Sequence, residues 1–171
     1  MHAGLEKTAG HMDHTGDEEM KLEDVKQIED SLFSYVSKID VGGIPWALEY
    51  MENDTQTTLL FKRQGYGKEI KEFIDGGYQA VFPFEIYVQA SRKDTKARLN
   101  LSRILEAVWQ AMLKEMENGF PTLQLEGLEP VKFERTTLPS DFTGEKAKLS
   151  VFYCAFTLTY EKAGDPLDFL N

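Results

Sequence analysis

One cysteine, Cys154, stands among the 171 residues, so no internal disulfide can staple the fold. That scarcity suits a reducing compartment. Histidine is confined to His2, His11 and His14. The body of the chain therefore lacks the side chain whose ordinary pKa best matches proton transfer near neutral pH. No apolar run approaches the roughly 18–20 residues of a membrane-spanning helix. The N-terminus also lacks the basic-then-apolar pattern of a secretory signal. Positive charge is short as well, with 19 Lys and Arg against 29 Asp and Glu and a net charge of −10. That balance disfavours a sequence-independent grip on phosphates and attraction to anionic membranes.

What is present is globular: 42% hydrophobic and 12% aromatic residues, enough for one domain with an ordinary core. Residues 1–20, "MHAGLEKTAGHMDHTGDEEM", carry five carboxylates against Lys7 and show no usable period. They read as a flexible acidic leader. The purine-rich codons of "GDEE" resemble a ribosome-binding site, and this reading expects a native start at Met20. Residues 21–162 read as a single α+β domain, and 163–171 as a C-terminal tail.

A first helix is expected over residues 22–39, with Val25, Ile28, Leu32, Tyr35, Val36 and Ile39 on one stripe. "DVGGIP" ends it. From Trp46 the period becomes two. "WALEYMEN" and "TTLLFKRQ" flank Asp54 and read as a β-hairpin. A short strand over 70–74 and a turn at Asp75-Gly76-Gly77 lead into "AVFPFEIYVQA". There Phe82, Phe84, Ile86, Val88 and Ala90 share one face, and Val81, Pro83, Glu85, Tyr87 and Gln89 the other. Proline has no N–H to donate, so position 83 requires a sheet edge, a strand end or a bulge. A second helix is expected from Asp94 to Asn118-Gly119, with Leu101, Ile104, Leu105, Val108 and Met112 buried. Strands over 122–137, interrupted at "EGLEP", and over 148–161 close the chain. The last is apolar on both faces near its middle, so it is central and wants cover on a second side. Two helices cover one face of such a sheet; a neighbouring subunit is the simplest cover for the other.

Few residues suggest chemistry. His11 and His14 around Asp13 lack the helix and supporting shell of a dedicated metal site. Cys154 sits among phenylalanines with no histidine partner and reads as a small buried hydrophobe. "GYGK" at 65–68 lacks the spacing of a phosphate loop and reads as a hairpin turn. Carboxylates are numerous, but no spacing singles out an acid/base pair. The basic cluster "SRKDTKAR" at 91–98 reads as a solvated connection. No catalytic, cofactor or metal residue is assigned.

"IDGGYQAVFPFEIYVQASRKDTKARLNLSRILEAVWQAM", followed by "AKLSVFYCAFTLTYEK", resembles the tail terminator proteins of long-tailed bacteriophages, in particular the group often labelled phage minor capsid proteins in Gram-positive hosts. The shared pattern is a glycine turn, an aromatic-rich strand, an immediate helix with a late aromatic, and a closing strand ending near "TYEK"; it spans about residues 22–162. The resemblance implies a mostly antiparallel or mixed sheet with two helices packed on it. It implies a homo-oligomeric, six-fold ring that caps the tail tube and joins it to the head. Its partners are then the tail tube protein and a head-completion or connector protein, with DNA passing through without specific binding. Location would be the virion, and the host bacterial cytoplasm before assembly. An acidic wall suits such a channel. The contrasting reading is a small α+β binding module recognising a peptide or small ligand on its sheet face; a carboxylate-pair hydrolase is a third.

For the ring, the expected subunit contacts are Glu85, Tyr87 and Gln89 on the mixed strand face, then Trp46 and Tyr50. Trp46 and Tyr50 equally suit the subunit's own core. The polar stretch "LPSDFTGEKAK" at 138–148 is long for a strand connection and is a further candidate for partner contact.

Overall fold

The computed structural model describes residues 14–48, 57–65, 67–90, 95–142 and 149–165, with 14–21, 95 and 97 described by backbone alone. In chain order the elements are α1 (His14–Val36), β1 (Trp46–Leu48), β2 (Thr58–Arg63), β3 (Lys68–Glu72), β4 (Tyr78–Ala90), α2 (Thr95–Glu117), β5 (Glu129–Arg135), β6 (Ser140–Asp141) and β7 (Ser150–Lys162). The fold is α+β: two helices and an open, mixed seven-stranded sheet.

Alternation explains the sheet's centre. β4 and β7 pair antiparallel without a break from Tyr78↔Lys162 to Ala90↔Ser150. Period-two patterning over both strands places Phe82, Phe84, Ile86 and Val88 beside Leu158, Phe156, Cys154 and Phe152 on one face. A slip of one residue would expose every one of them, so the register is strongly specified. Both helices cover this face. Val25, Ile28, Leu32, Tyr35 and Val36 come from α1, and Leu101, Ile104, Leu105, Val108 and Met112 from α2, all buried in one core. Phe84 stands at its middle, with ring centroids 5.3 Å from Phe61 and 5.5 Å from Phe156.

Each long strand is flanked by two shorter ones laid end to end. β2 takes residues 84–89 of β4, and β3 takes 78–81. On the far side, β5 takes 156–161 of β7, and β6 takes 152–153. Pro83 is therefore neither at a sheet edge nor at a strand end. It lies mid-strand, opposite the gap between β2 and β3, where its carbonyl accepts the Gln64 N–H at 2.9 Å. Its N and C=O point to the same side, so the missing donor faces the break and costs no ladder bond. Gly67 completes the break with φ +83°; a Cβ there would meet the Val81 carbonyl oxygen at 2.5 Å.

Three sequence expectations are corrected. β1 and β2 pair parallel, Trp46 opposite Leu59, and so are not a hairpin. Alternation decides which face is buried and is silent on direction. A hairpin does exist one step later, between β3 and β4, with the turn closed by Asp75 Oδ1 accepting the Gly77 N–H at 3.0 Å. The strand expected over 122–137 occupies only Glu129–Arg135. Before it, Phe120 takes φ +58°, its ring buried 5.4 Å from Phe133, and Glu115 accepts the Thr122 N–H at 2.5 Å. Those residues cap α2 and so are withdrawn from pairing. Finally, α1 begins at His14, upstream of the expected start at 22. Residues 1–13 and 166–171, and the expected helix start at Asp94, lie outside the described residues.

Replacing Phe84 by Ala is expected to cost about 3–5 kcal/mol, the range for removing a fully buried phenylalanine. Urea unfolding measures it; a loss below about 1 kcal/mol would contradict the central place given to this ring.

Candidate assembly surface

The second face of the sheet has no helix on it among the described elements. Register places Val81, Pro83, Glu85, Tyr87 and Gln89 of β4 there, opposite Thr159, Thr157, Ala155, Tyr153 and Val151 of β7. Leu60 and Lys62 of β2 continue the face beside Tyr87 and Glu85. At one end it is aromatic. Tyr87 and Tyr153 stack at 5.5 Å, and Phe142 meets them edge-on at 5.9 and 5.8 Å. The Phe142 N–H donates to the Val151 carbonyl at 2.7 Å, which holds this residue at the end of β6 while its side of the cluster stays 63% exposed.

Glu85 organises the middle of the face. Only 6% of the residue is exposed, and its two carboxylate oxygens accept hydrogen bonds from the Tyr87 hydroxyl and the Gln64 side-chain amide. Both donors approach from neighbouring positions of the sheet, so the buried charge is partnered and the Tyr87 ring is held in place. Burial first, then the hydrogen bond and negative charge of Glu85, raise the Tyr87 phenol above its ordinary pKa. The tyrosine therefore remains a neutral donor at any physiological pH.

The expected contact residues thus divide. Tyr87 is half-buried in the aromatic cluster and retains accessible surface. Glu85 and Gln89 are covered within the subunit, at 6% and 4% exposure, and act on this face through what they hold or pack. Gln89 Nε2 and Trp46 Nε1 are buried without a hydrogen-bond partner. Trp46 is half-buried against the main core, in keeping with the core alternative, and Tyr50 lies outside the described residues. Sequence reasoning named Phe142 only as part of the stretch 138–148 and did not single it out; residues 143–148 lie outside the described residues. An aromatic isolated in a polar loop carries no period and is legible only once β6 brings it beside Tyr153.

Among the described residues, no cluster of three or more His, Cys, Asp or Glu side chains is placed to hold a metal ion. Among those residues, no helix is long and apolar enough to cross a membrane. Cys154 lies on the helix-covered face, its thiol directed at the Thr137 carbonyl at 2.9 Å. Burial pushes its pKa up to about 11, with the positive charge of Arg135 pulling the other way.

No family model matches the sequence. No curated protein matches it either. Among solved structures, the fold is similar to a chain of the virion of a native gene transfer agent particle, at 16% identity and a TM-score of 0.51. The match covers 82% of this chain and 91% of that one, so the likeness of fold extends over most of both.

Two outcomes follow from this geometry. Glu85→Ala removes the acceptor of two donors and is expected to cost about 1–3 kcal/mol in urea unfolding, with Glu85→Gln losing less. Cys154 is expected to resist alkylation at pH 8 until the protein unfolds. The neutral thiol is favoured in the folded state, so its contribution to stability is full below about pH 9 and fades as pH rises towards 11. Rapid native labelling would show the thiol to be accessible after all.

Proposed function

We propose that the protein is a structural subunit of a phage or phage-like tail, forming a ring that caps the tail tube and joins it to the head. The observation that carries this reading is the sheet with one face committed to helices and the other left with a fixed, partly exposed aromatic cluster. Aromatic anchors held rigid before contact are what protein interfaces use most effectively. The likeness of fold to a virion chain of a gene transfer agent, over most of both chains, supports the same reading. So does the order of motifs that resembles tail terminator proteins.

In this reading the partners are further copies of the chain, the tail tube protein on one side and a head-completion or connector protein on the other. The work is mechanical: no residue is assigned to catalysis or to a cofactor. DNA passes through the ring without a specific contact, and a net charge of −10 favours repulsion of phosphate over adhesion. The protein resides in the host cytoplasm until assembly and in the virion afterwards.

Size exclusion with light scattering is expected to show a hexamer, or a monomer that becomes a ring on meeting tail tubes. Negative-stain electron microscopy of tubes mixed with the protein should show capped ends. A protein that stays monomeric and never binds tubes, or one stabilised saturably by a small ligand in a thermal shift, would overturn the proposal.

A further inference from the structure

The two lateral margins of the sheet differ in sign. Residues paired in register share a face, so Lys62, Lys68 and Lys71 all lie on the helix-free face, opposite Glu85, Val81 and Gln79. All three are exposed. Glu69 and Glu72 of β3, opposite Ala80 and Tyr78, point to the other face. The charged residues that β2 and β3 place on this face are therefore all lysines, and Lys62 lies past the last pair that β1 makes along β2. Across the sheet, Glu129 and Glu134 of β5 lie opposite Glu161 and Thr157, on the same helix-free face. Lys132 sits between them and is already tied to Glu134 at 2.5 Å. One margin is basic and the other is acidic.

Each margin also carries a bulge at nearly the same height. The β3 ladder shifts between Glu69 and Lys71, and the β5 ladder between Pro130 and Lys132. The inserted residues are Ile70 and Val131, 50% and 37% exposed. By register, Lys71 and Glu129 occupy the same row, through Gln79 and Glu161. Among the described strands, β3 pairs only with β4 and β5 only with β7, so the outer edges of β3 and β5 carry no strand, while β1 lies outside β2. Bulges and charged side chains on an edge oppose continuation of the backbone ladder into another sheet. What the margins offer a neighbour is therefore side chains.

We infer that the lysine margin of one copy meets the glutamate margin of the next, with Ile70 packed near Val131 and Lys71 beside Glu129. The match is head-to-tail, because each copy carries both halves on opposite sides. A heterologous contact of this kind leaves a free half at each end until the chain of subunits closes. Placing like margins together would set lysines against lysines, so the charge pattern selects the direction of assembly as well as the contact. This contact is the lateral joint of the ring proposed above and rests on that reading.

The experiment is size exclusion with light scattering across a concentration series, with circular dichroism to verify folding. The wild type is expected to self-associate, less so at high salt, since exposed charge pairs are screened. Lys68→Glu with Lys71→Glu is expected to raise the concentration needed for assembly roughly tenfold or more. Adding Glu129→Lys and Glu134→Lys to the same chain restores association; these sites are exposed, so folding should survive all four changes. Ile70→Asp alone is expected to weaken the oligomer. A folded Lys68→Glu/Lys71→Glu variant that assembles like the wild type overturns the joint, as does a wild type that self-associates neither alone nor on tail tubes. A wild type that assembles through these margins but fails to cap tail tubes leaves the joint standing and removes the tail reading instead.

Discussion

The unbroken pairing of β4 with β7 is the constraint from which the other features follow. Thirteen consecutive pairs between two strands leave each with one free side and two faces. Because the register is shared along the whole length, the apolar residues of both strands fall on one face together. That face is then broad and continuous enough to bury two amphipathic helices. The helices in turn need no strong propensity of their own, since packing of a stripe supplies most of the stability of a surface helix. Arg135 shows how far this organisation reaches. It lies at the rim of the covered face, its guanidinium over the Trp109 ring at 5.4 Å and bonded to Glu106, so strand and helix are also joined across their polar border.

Much of this was legible in the residues, and the failures are of one kind. Period-two and period-3.6 patterns located the long strands, both core stripes and the face on which each residue of β4 lies. Those patterns record burial. They carry no record of strand direction, which is why β1 and β2 read as a hairpin and are parallel. Nor do they separate a strand from an apolar connection. Leu123 and Leu128 are buried as a strand's residues would be, yet the backbone there serves the end of α2. On the helix-free face, Tyr87 was identifiable from alternation. Phe142 was not, because its place depends on a two-residue strand pairing across to β7. The burial of Glu85 was equally hidden: its partner Gln64 is distant in sequence and reaches it only at the gap between β2 and β3.

That gap links the sheet's ladder to its helix-free face. A proline in the middle of a strand would normally forfeit a ladder bond, and β4 avoids the loss by pairing with two short strands in place of one long one. The interruption has a second consequence. Gln64 lies just past the end of β2, and it turns its amide onto the Glu85 carboxylate. With its charge partnered, Glu85 can accept the Tyr87 hydroxyl and orient the aromatic cluster. A buried carboxylate left alone on a sheet would cost several kcal/mol. Here it is tolerated because Pro83 lies two positions away.

The same division of each flank into two short strands shapes the margins. A long, flat edge strand exposes a row of N–H and C=O groups that will accept almost any extended chain. β3 and β5 are short, bulged and charged, so their edges reject indiscriminate pairing while their side chains remain displayed. Specificity is thereby shifted from the backbone, which every protein shares, to a pattern of lysine, glutamate and two aliphatic residues. The sheet's centre demands continuity and its margins demand interruption. Both demands are met because β4 and β7 carry the continuity alone.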